Sequence, residues 1–233
     1  MAQPPDVTQF TIFVRNVMRI GSNYLPDGSP YFGWTFDHSF DEVNDLLSVA
    51  MSSLNSWSPY ELAVYNLAGH LLIEYAQDVS YEIAGVTWAA GMVTIETATV
   101  HSILPGDKIT IAGVSPLPYS GTPGVGYVIV QAVPDTTHFS YSLPLDPGAA
   151  NLLPGASATE YYFVDLRKQL KINSFVPGVV SNTSDLTTSV GLVVPDFFKT
   201  LTLEQMDLMK TPFGRAYLMI AQKYGPTVWG LTR

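Results

Sequence analysis

Four histidines, His38, His70, His101 and His138, are the side chains best suited to proton transfer or metal ligation near neutral pH. Their spacing supplies neither an H-x-x-x-H nor an H-E-x-x-H pair, the arrangements that set two imidazoles on one helix face. His70 falls on the polar stripe of an otherwise apolar helical run, and His101 and His138 fall at the borders of strand-like segments. Each therefore reads as structural or solvated. Asp41, Glu42 and Asp45 cluster where a helix start is expected, and carboxylates favour the positive end of a helix dipole without any metal. Ser120–Gly126 is glycine-rich but lacks the lysine of a phosphate loop and precedes no helix, so it reads as a β-turn. The absence of cysteine excludes disulfides, thiolate zinc sites and cysteine nucleophiles. Arg167, Lys168 and Lys171 gather near a predicted helix C-terminus, where cations suit the dipole and where an acidic partner could also dock. The expectation is a non-enzymatic chain with no catalytic residues, no metal site and no cofactor.

The elements that would position these residues change character along the chain. Asp6 and Gln9 resemble a helix cap and its partner, and Phe10, Phe13, Val14, Val17 and Met18 follow at helical spacing until Gly21. Tyr24–Gly28 reads as a turn. Ser29-Pro30 opens a long amphipathic region with Phe32, Phe36, Phe40, Val43, Leu47, Ala50 and Leu54 on one stripe, and Ser39 with Glu42 permits a second cap and a break near Asp37. Ser58-Pro59-Tyr60-Glu61 joins a cap, a first-turn proline and a capping-box glutamate. The helix after it is apolar almost all round, with Asn66, His70, Glu74 and Gln77 as its polar stripe. Such a helix sits centrally in a bundle or is walled in by a neighbouring subunit.

Near Tyr81 the period becomes alternating. Met92–Thr97, Lys108–Ile111, Tyr127–Ala132 and His138–Leu143 read as strands, separated by turn chemistry at 105–107, 115–126 and 134–135. Residues 146–155 read as a linker, and helical patterning returns over Thr159–Leu170. These patterns predict an α+β protein: a helical bundle domain, 1–80 and 158–233, interrupted by an inserted small antiparallel β-sandwich or barrel, 81–157. Ser174–Val194 has no clear period and reads as a β-hairpin or as an arm that orders on a partner. A short helix is expected from Pro195 to Thr200, a second capped by Thr202 and Gln205, and a last one from Thr211-Pro212 to Gly225-Pro226.

Charged residues are 13% of the chain, about half the usual share, which suggests a surface covered by other subunits. Between Ile20 and Leu166 the only basic residue is Lys108, against fifteen Asp and Glu. That middle repels phosphates, so duplex binding is not expected; an acidic wall suits a channel through which DNA slides, but on charge alone simple solubility is the preferred reading. No apolar stretch reaches membrane-spanning length, and the N-terminus lacks the pattern of a signal peptide. Trp229, in the C-terminal tail, reads as an anchor on a partner.

The helical parts resemble the head–tail adaptor (connector) proteins of tailed bacteriophages. The resemblance is carried by Phe13–Leu25 through Ser29-Pro30, by Tyr60–His70, by the Ser/Thr stretch Val179–Val194, and by Leu203–Gly230, including Thr211–Leu218 and Tyr224-Gly225-Pro226. The β-segment is similar to small domains of phage structural proteins in Leu104–Val114, Tyr119–Thr122 and Thr137–Tyr141. Many adaptors lack such a domain, which leaves its purpose open. The resemblance implies a homo-oligomeric ring, commonly of twelve copies, between the portal protein and the next neck, collar or tail protein of the virion. Such a ring needs no cofactor and meets double-stranded DNA only as transiting cargo. Carried over, Tyr224, Pro226, Val228, Trp229, Leu231 and Arg233 would grip the portal. Val179, Ser181, Asp185, Leu186, Val190 and Leu192 would grip a neighbouring subunit or ring. The alternative is a phage fibre or decoration protein whose β-domain binds a receptor or glycan.

Overall fold

The computed structural model describes residues 4–46, 57–121, 125–172, 182–185, 188–191 and 202–224. The fold class is α+β, with helices and a curled antiparallel sheet. The chain divides into two compact units, one of Met1–Arg19, Asp27–Ala76 and Arg167–Arg233, the other of Ile20–Pro26 and Gln77–Leu166. The described helices are α1 (Val7–Asn16), α2 (Pro30–Leu46), α3 (Pro59–Tyr75), α4 (Tyr162–Gln169), α5 (Leu203–Leu208) and α6 (Pro212–Tyr224).

In the first unit, local chemistry starts the helices where the sequence says it should. Asp6 accepts from Gln9 N–H, Ser58 and Glu61 complete a capping box at α3, and Thr202 and Gln205 complete another at α5. Helix α3 is the core element, with Ala63, Val64, Tyr65, Leu67, Ala68, Leu72 and Ile73 all buried. Against it pack Phe10 and Phe13 of α1, Phe32 and Phe36 of α2, and Tyr217, Leu218 and Ala221 of α6. Phe10 alone lies within 6.4 Å, centroid to centroid, of Phe13, Phe32, Phe36 and Tyr65, so the centre of this core is aromatic. Gly214 is required where α6 meets the end of α5, because a Cβ there would collide with the Leu208 carbonyl. Arg167 donates from Nε to the Ile73 carbonyl at 2.7 Å, and from its guanidinium to the Ala76 carbonyl, satisfying the exposed end of α3.

Helix α2 runs unbroken through Asp37, so the permitted second start at Ser39 is not used. Asp41 and Glu42 consequently lie in its C-terminal half rather than near a positive dipole end, which corrects the expectation for that cluster. Ser39, freed from any capping role, is buried.

The second unit holds strands β1 (Ser80–Ala89), β2 (Met92–Thr97), β3 (Lys108–Ser115), β4 (Val128–Ile129), β5 (Ala132–Asp135), β6 (His138–Ser142) and β7 (Asn151–Glu160). Their order is β4-β3-β7-β1-β2-β6-β5, antiparallel throughout. β4 and β5 are consecutive pieces of one segment. Val130 N–H donates to Asp107 O on the β3 side, and Gln131 N–H donates to Ser140 O of β6. The sheet therefore curls until its ends meet through residues 130 and 131. Ile83, Val93, Ile95, Ile109, Ile111, Phe139 and Tyr141 fill the interior.

Two strands depart from the expected pattern. β1 begins the sheet ahead of the strands read from sequence, and β7 replaces the expected linker and the start of the expected helix. Its Pro154-Gly155 is turn chemistry, yet it sits at a bulge between two stretches that pair with β3. Gly113, with φ of +72°, faces that bulge, and a Cβ on it would lie 2.7 Å from the Ala156 backbone. Ile20–Pro26 also belongs to this unit: Ile20 and Leu25 are buried, and Tyr24 stacks on Tyr162 at 4.0 Å. Strands β8 (Asn182–Asp185) and β9 (Thr188–Gly191) pair antiparallel, so the hairpin reading of that stretch holds for these residues. The expected helix 195–200 lies outside the described residues.

Candidate functional site

Of the residues singled out by resemblance, Asp185, Val190 and Tyr224 are described. Asp185 lies in β8 and Val190 in β9, whereas Val179, Ser181, Leu186 and Leu192 lie outside the described residues. Tyr224 is the last residue of α6, and Pro226, Val228, Trp229, Leu231 and Arg233 lie outside them. Arg167 and Lys168 occupy the last turn of α4, and Lys171 follows with φ of +56°.

The first unit instead presents an apolar and acidic cleft of about 500 Å³ along α2, α3 and α5. Its walls include His38, Glu42, Leu67, Leu71, Tyr75, Leu203 and Leu208, and His70, Glu74, Glu204 and Asp207 complete the lining. Trp34 stacks on His38 at 6.0 Å and meets Tyr75 edge-on at 5.5 Å. Trp34 and Tyr75 are each about half exposed, at 49% and 51%, and Leu203 is 81% exposed. Contiguous exposed apolar surface, unlike a single exposed ring, marks an interaction site.

At the cleft's inner end His70 is almost fully buried. Its Nδ1 lies 2.9 Å from Thr211 Oγ1, which also accepts from Gly214 N–H and so caps α6. Its Nε2 faces Glu74 Oε2 at 3.5 Å and Asp207 Oδ2 at 3.6 Å. Lys210 pairs with both carboxylates. Burial pushes the His70 pKa down to about 4, the nearby Asp207 charge opposing it only in part, so the imidazole is neutral at pH 7. Burial likewise raises the Glu74 carboxyl above its ordinary range. The His70 and Glu74 part of the polar stripe is thus an internal network, while Asn66 donates to the Leu62 carbonyl of its own helix and Gln77, beyond α3, is exposed. Spacing alone did not find it: the usable signal was the His70/Glu74 pair one helical turn apart, and its third member comes from a distant helix.

No family model matches the chain, and no curated protein or solved structure is significantly similar to it.

In the second unit, Tyr24 donates to Asp107 Oδ1 at 2.7 Å, and Asp107 Oδ2 accepts from Leu104 N–H. Lys108, the one basic residue of the acidic middle, pairs with Asp165 at 2.9 Å and lies over the Tyr127 ring. Asp78 accepts from the backbone N–H groups of Tyr162, Phe163 and Val164, capping α4 from far away in sequence. Glu160 is buried and accepts from Tyr81 and Ser102 hydroxyls through Oε1. Burial pushes its pKa up to about 7. His101 is buried edge-on between Tyr81 and Phe139, and burial lowers its pKa. His138 pairs on the surface with Asp135. Asp78, Asp107 and Lys108 hold loops and helix ends in place, whereas both ring nitrogens of His101 and Oε2 of Glu160 are buried without a hydrogen-bond partner.

Proposed function

We propose that the chain is a structural virion protein, one subunit of a ring that connects the capsid portal of a tailed phage to its tail or neck. The observation that carries assembly is the exposed apolar surface of the helical unit, Trp34, Tyr75, Leu203 and the 70% exposed Met219, on a chain with 13% charged residues. Burying such surface against neighbouring copies removes it from water, and weak contacts repeated around a closed ring add up. The ring reading rests on the resemblance of Phe13–Leu25, Tyr60–His70 and Leu203–Gly230 to head–tail adaptors. On this reading a helical bundle is interrupted by a β-domain, the Ser174–Val194 stretch with its hairpin grips a neighbour, and Tyr224–Arg233 grips the portal. The ring, commonly of twelve copies, meets the next neck, collar or tail protein on its other side. DNA passes through its lumen, whose acidic lining, drawn from the Ile20–Leu166 stretch, would not hold phosphates.

A cryo-EM reconstruction of the particle carrying this chain tests the reading. Ring density between portal and tail is expected, and deletion of residues 224–233 should leave heads without tails. Normal tailed particles from that deletion would remove the anchor assignment.

One observation favours a second reading. The β-unit carries an apolar cleft of about 530 Å³ lined by Leu117, Pro118, Tyr127, Ile129, Leu143 and Pro144 among others. A fibre or decoration protein would use such a cleft on a receptor or glycan. Density on fibres or on the capsid exterior would select it.

A further inference from the structure

We propose that His70, Glu74 and Asp207 form a binding site for a divalent transition-metal cation of the zinc class, with Lys210 as the internal cation that it displaces. The donor set is one imidazole nitrogen and two carboxylate oxygens, a combination that zinc and its neighbours accept. His70 and Glu74 stand one turn apart on α3, and Asp207 reaches them from α5, so two elements supply three ligands. Their ligating atoms all lie within 4.8 Å of one another.

The separations match a shared ion better than hydrogen bonds. Metal–nitrogen and metal–oxygen bonds of about 2.0–2.2 Å place neighbouring ligands of a tetrahedron roughly 3.3–3.6 Å apart. His70 Nε2 lies 3.5 Å from Glu74 Oε2 and 3.6 Å from Asp207 Oδ2. The second contact of the imidazole is also in place. In the tautomer whose Nδ1–H donates to Thr211 Oγ1, Nε2 presents its lone pair to the carboxylate side, the arrangement that second-shell partners impose on metal-bound histidines. The cleft lined by Glu42, Glu204 and Tyr75 gives the ion a route from solvent and room for a water as fourth ligand.

Lys210 is the competitor. Its ammonium pairs with Glu74 Oε1 and Asp207 Oδ1 and neutralises one of the two negative charges. A dication neutralises both, and the lysine, on a turn after α5, has solvent within reach of its flexible stem. The bound ion would pin α5 to α3.

The test uses the untagged full chain and its Lys210→Met, Asp207→Asn and Lys210→Met/Asp207→Asn variants. Asp207 and Lys210 are partly exposed, so these changes spare the core, whereas His70 is left intact because it is buried. Zn2+ binding is followed by calorimetry and Co2+ binding by its visible absorption. One ion per chain is expected, bound at least tenfold more tightly by Lys210→Met than by the wild type, with that gain lost in the double variant. Equal affinity of the wild type and Lys210→Met, binding undiminished by Asp207→Asn, or no saturable binding by Lys210→Met would each overturn the proposal. The exposed pair Asp135/His138 is a candidate adventitious chelator, so all variants carry His138→Ala, and equal binding by the Lys210→Met and double variants in that background would overturn the proposal.

Discussion

At the scale of single residues, burial rather than residue type decides what a titratable group does. Glu160 is an ordinary glutamate in the sequence, yet it closes β7 with one oxygen held by Tyr81 and Ser102 inside the β-unit. Its pKa rises from 4.5 to about 7, chiefly through burial. The folded state therefore keeps a proton that the unfolded chain releases at about pH 4.5. The resulting contribution to stability is complete below that pH and is lost as pH rises through about 7, by about 3 kcal/mol in all. Buried His70, whose pKa is lowered, acts in the opposite direction below about pH 6.5, so the reading is the difference between two proteins. The urea-unfolding stability of the wild type relative to Glu160→Gln should fall from pH 5 to pH 8; a difference that does not change with pH would show that Glu160 does not titrate in this way. His70 illustrates the same principle. Its place on the polar stripe of α3 was legible, but its burial was not, because Asp207, Lys210 and Thr211 arrive from more than a hundred residues away. Local pattern cannot report which distant helix covers a polar face.

Element by element, starts were more legible than ends or strand membership. Capping chemistry is local, so Asp6, Ser58 and Thr202 announce α1, α3 and α5 through residues within four positions. Residues 151–160 mislead for an equally physical reason. The small side chains Ala156 and Ala158 pack into the sheet interior where neighbouring strands supply the bulk, and the proline and glycine sit at a bulge rather than a turn. Asp78 is another case, a helix cap supplied across more than eighty residues. Close approach between elements also hides behind a single letter. Gly214→Ala should destabilise the chain by about 1–3 kcal/mol, since its methyl would meet the Leu208 carbonyl and force α5 and α6 apart. Thermal unfolding of that variant checks this: an unchanged midpoint would mean the α5–α6 contact yields freely.

For the whole molecule, the apolar surface of the helical unit is the feature that bears on assembly. On the proposed assembly, Trp34→Ala removes the half-exposed ring beside His38 and Tyr75 and should weaken self-association, while losing its buried half should cost the fold about 1–2 kcal/mol. Light scattering across a concentration series would register this as a smaller mean mass, and an unaltered mass would exclude Trp34 from the contact. The sequence by itself determined that the chain is α+β with a packed core, lacks cysteine chemistry, and carries fifteen of its twenty acidic residues between residues 20 and 166. It also determined the helix starts, because those depend on neighbours a few bonds away. Tertiary structure alone decided that Ile20–Pro26 joins the β-unit, that β7 lies between β3 and β1, and that His70, Glu74 and Asp207 converge. Each of these depends on which distant surfaces exclude water together, and no local periodicity encodes that pairing.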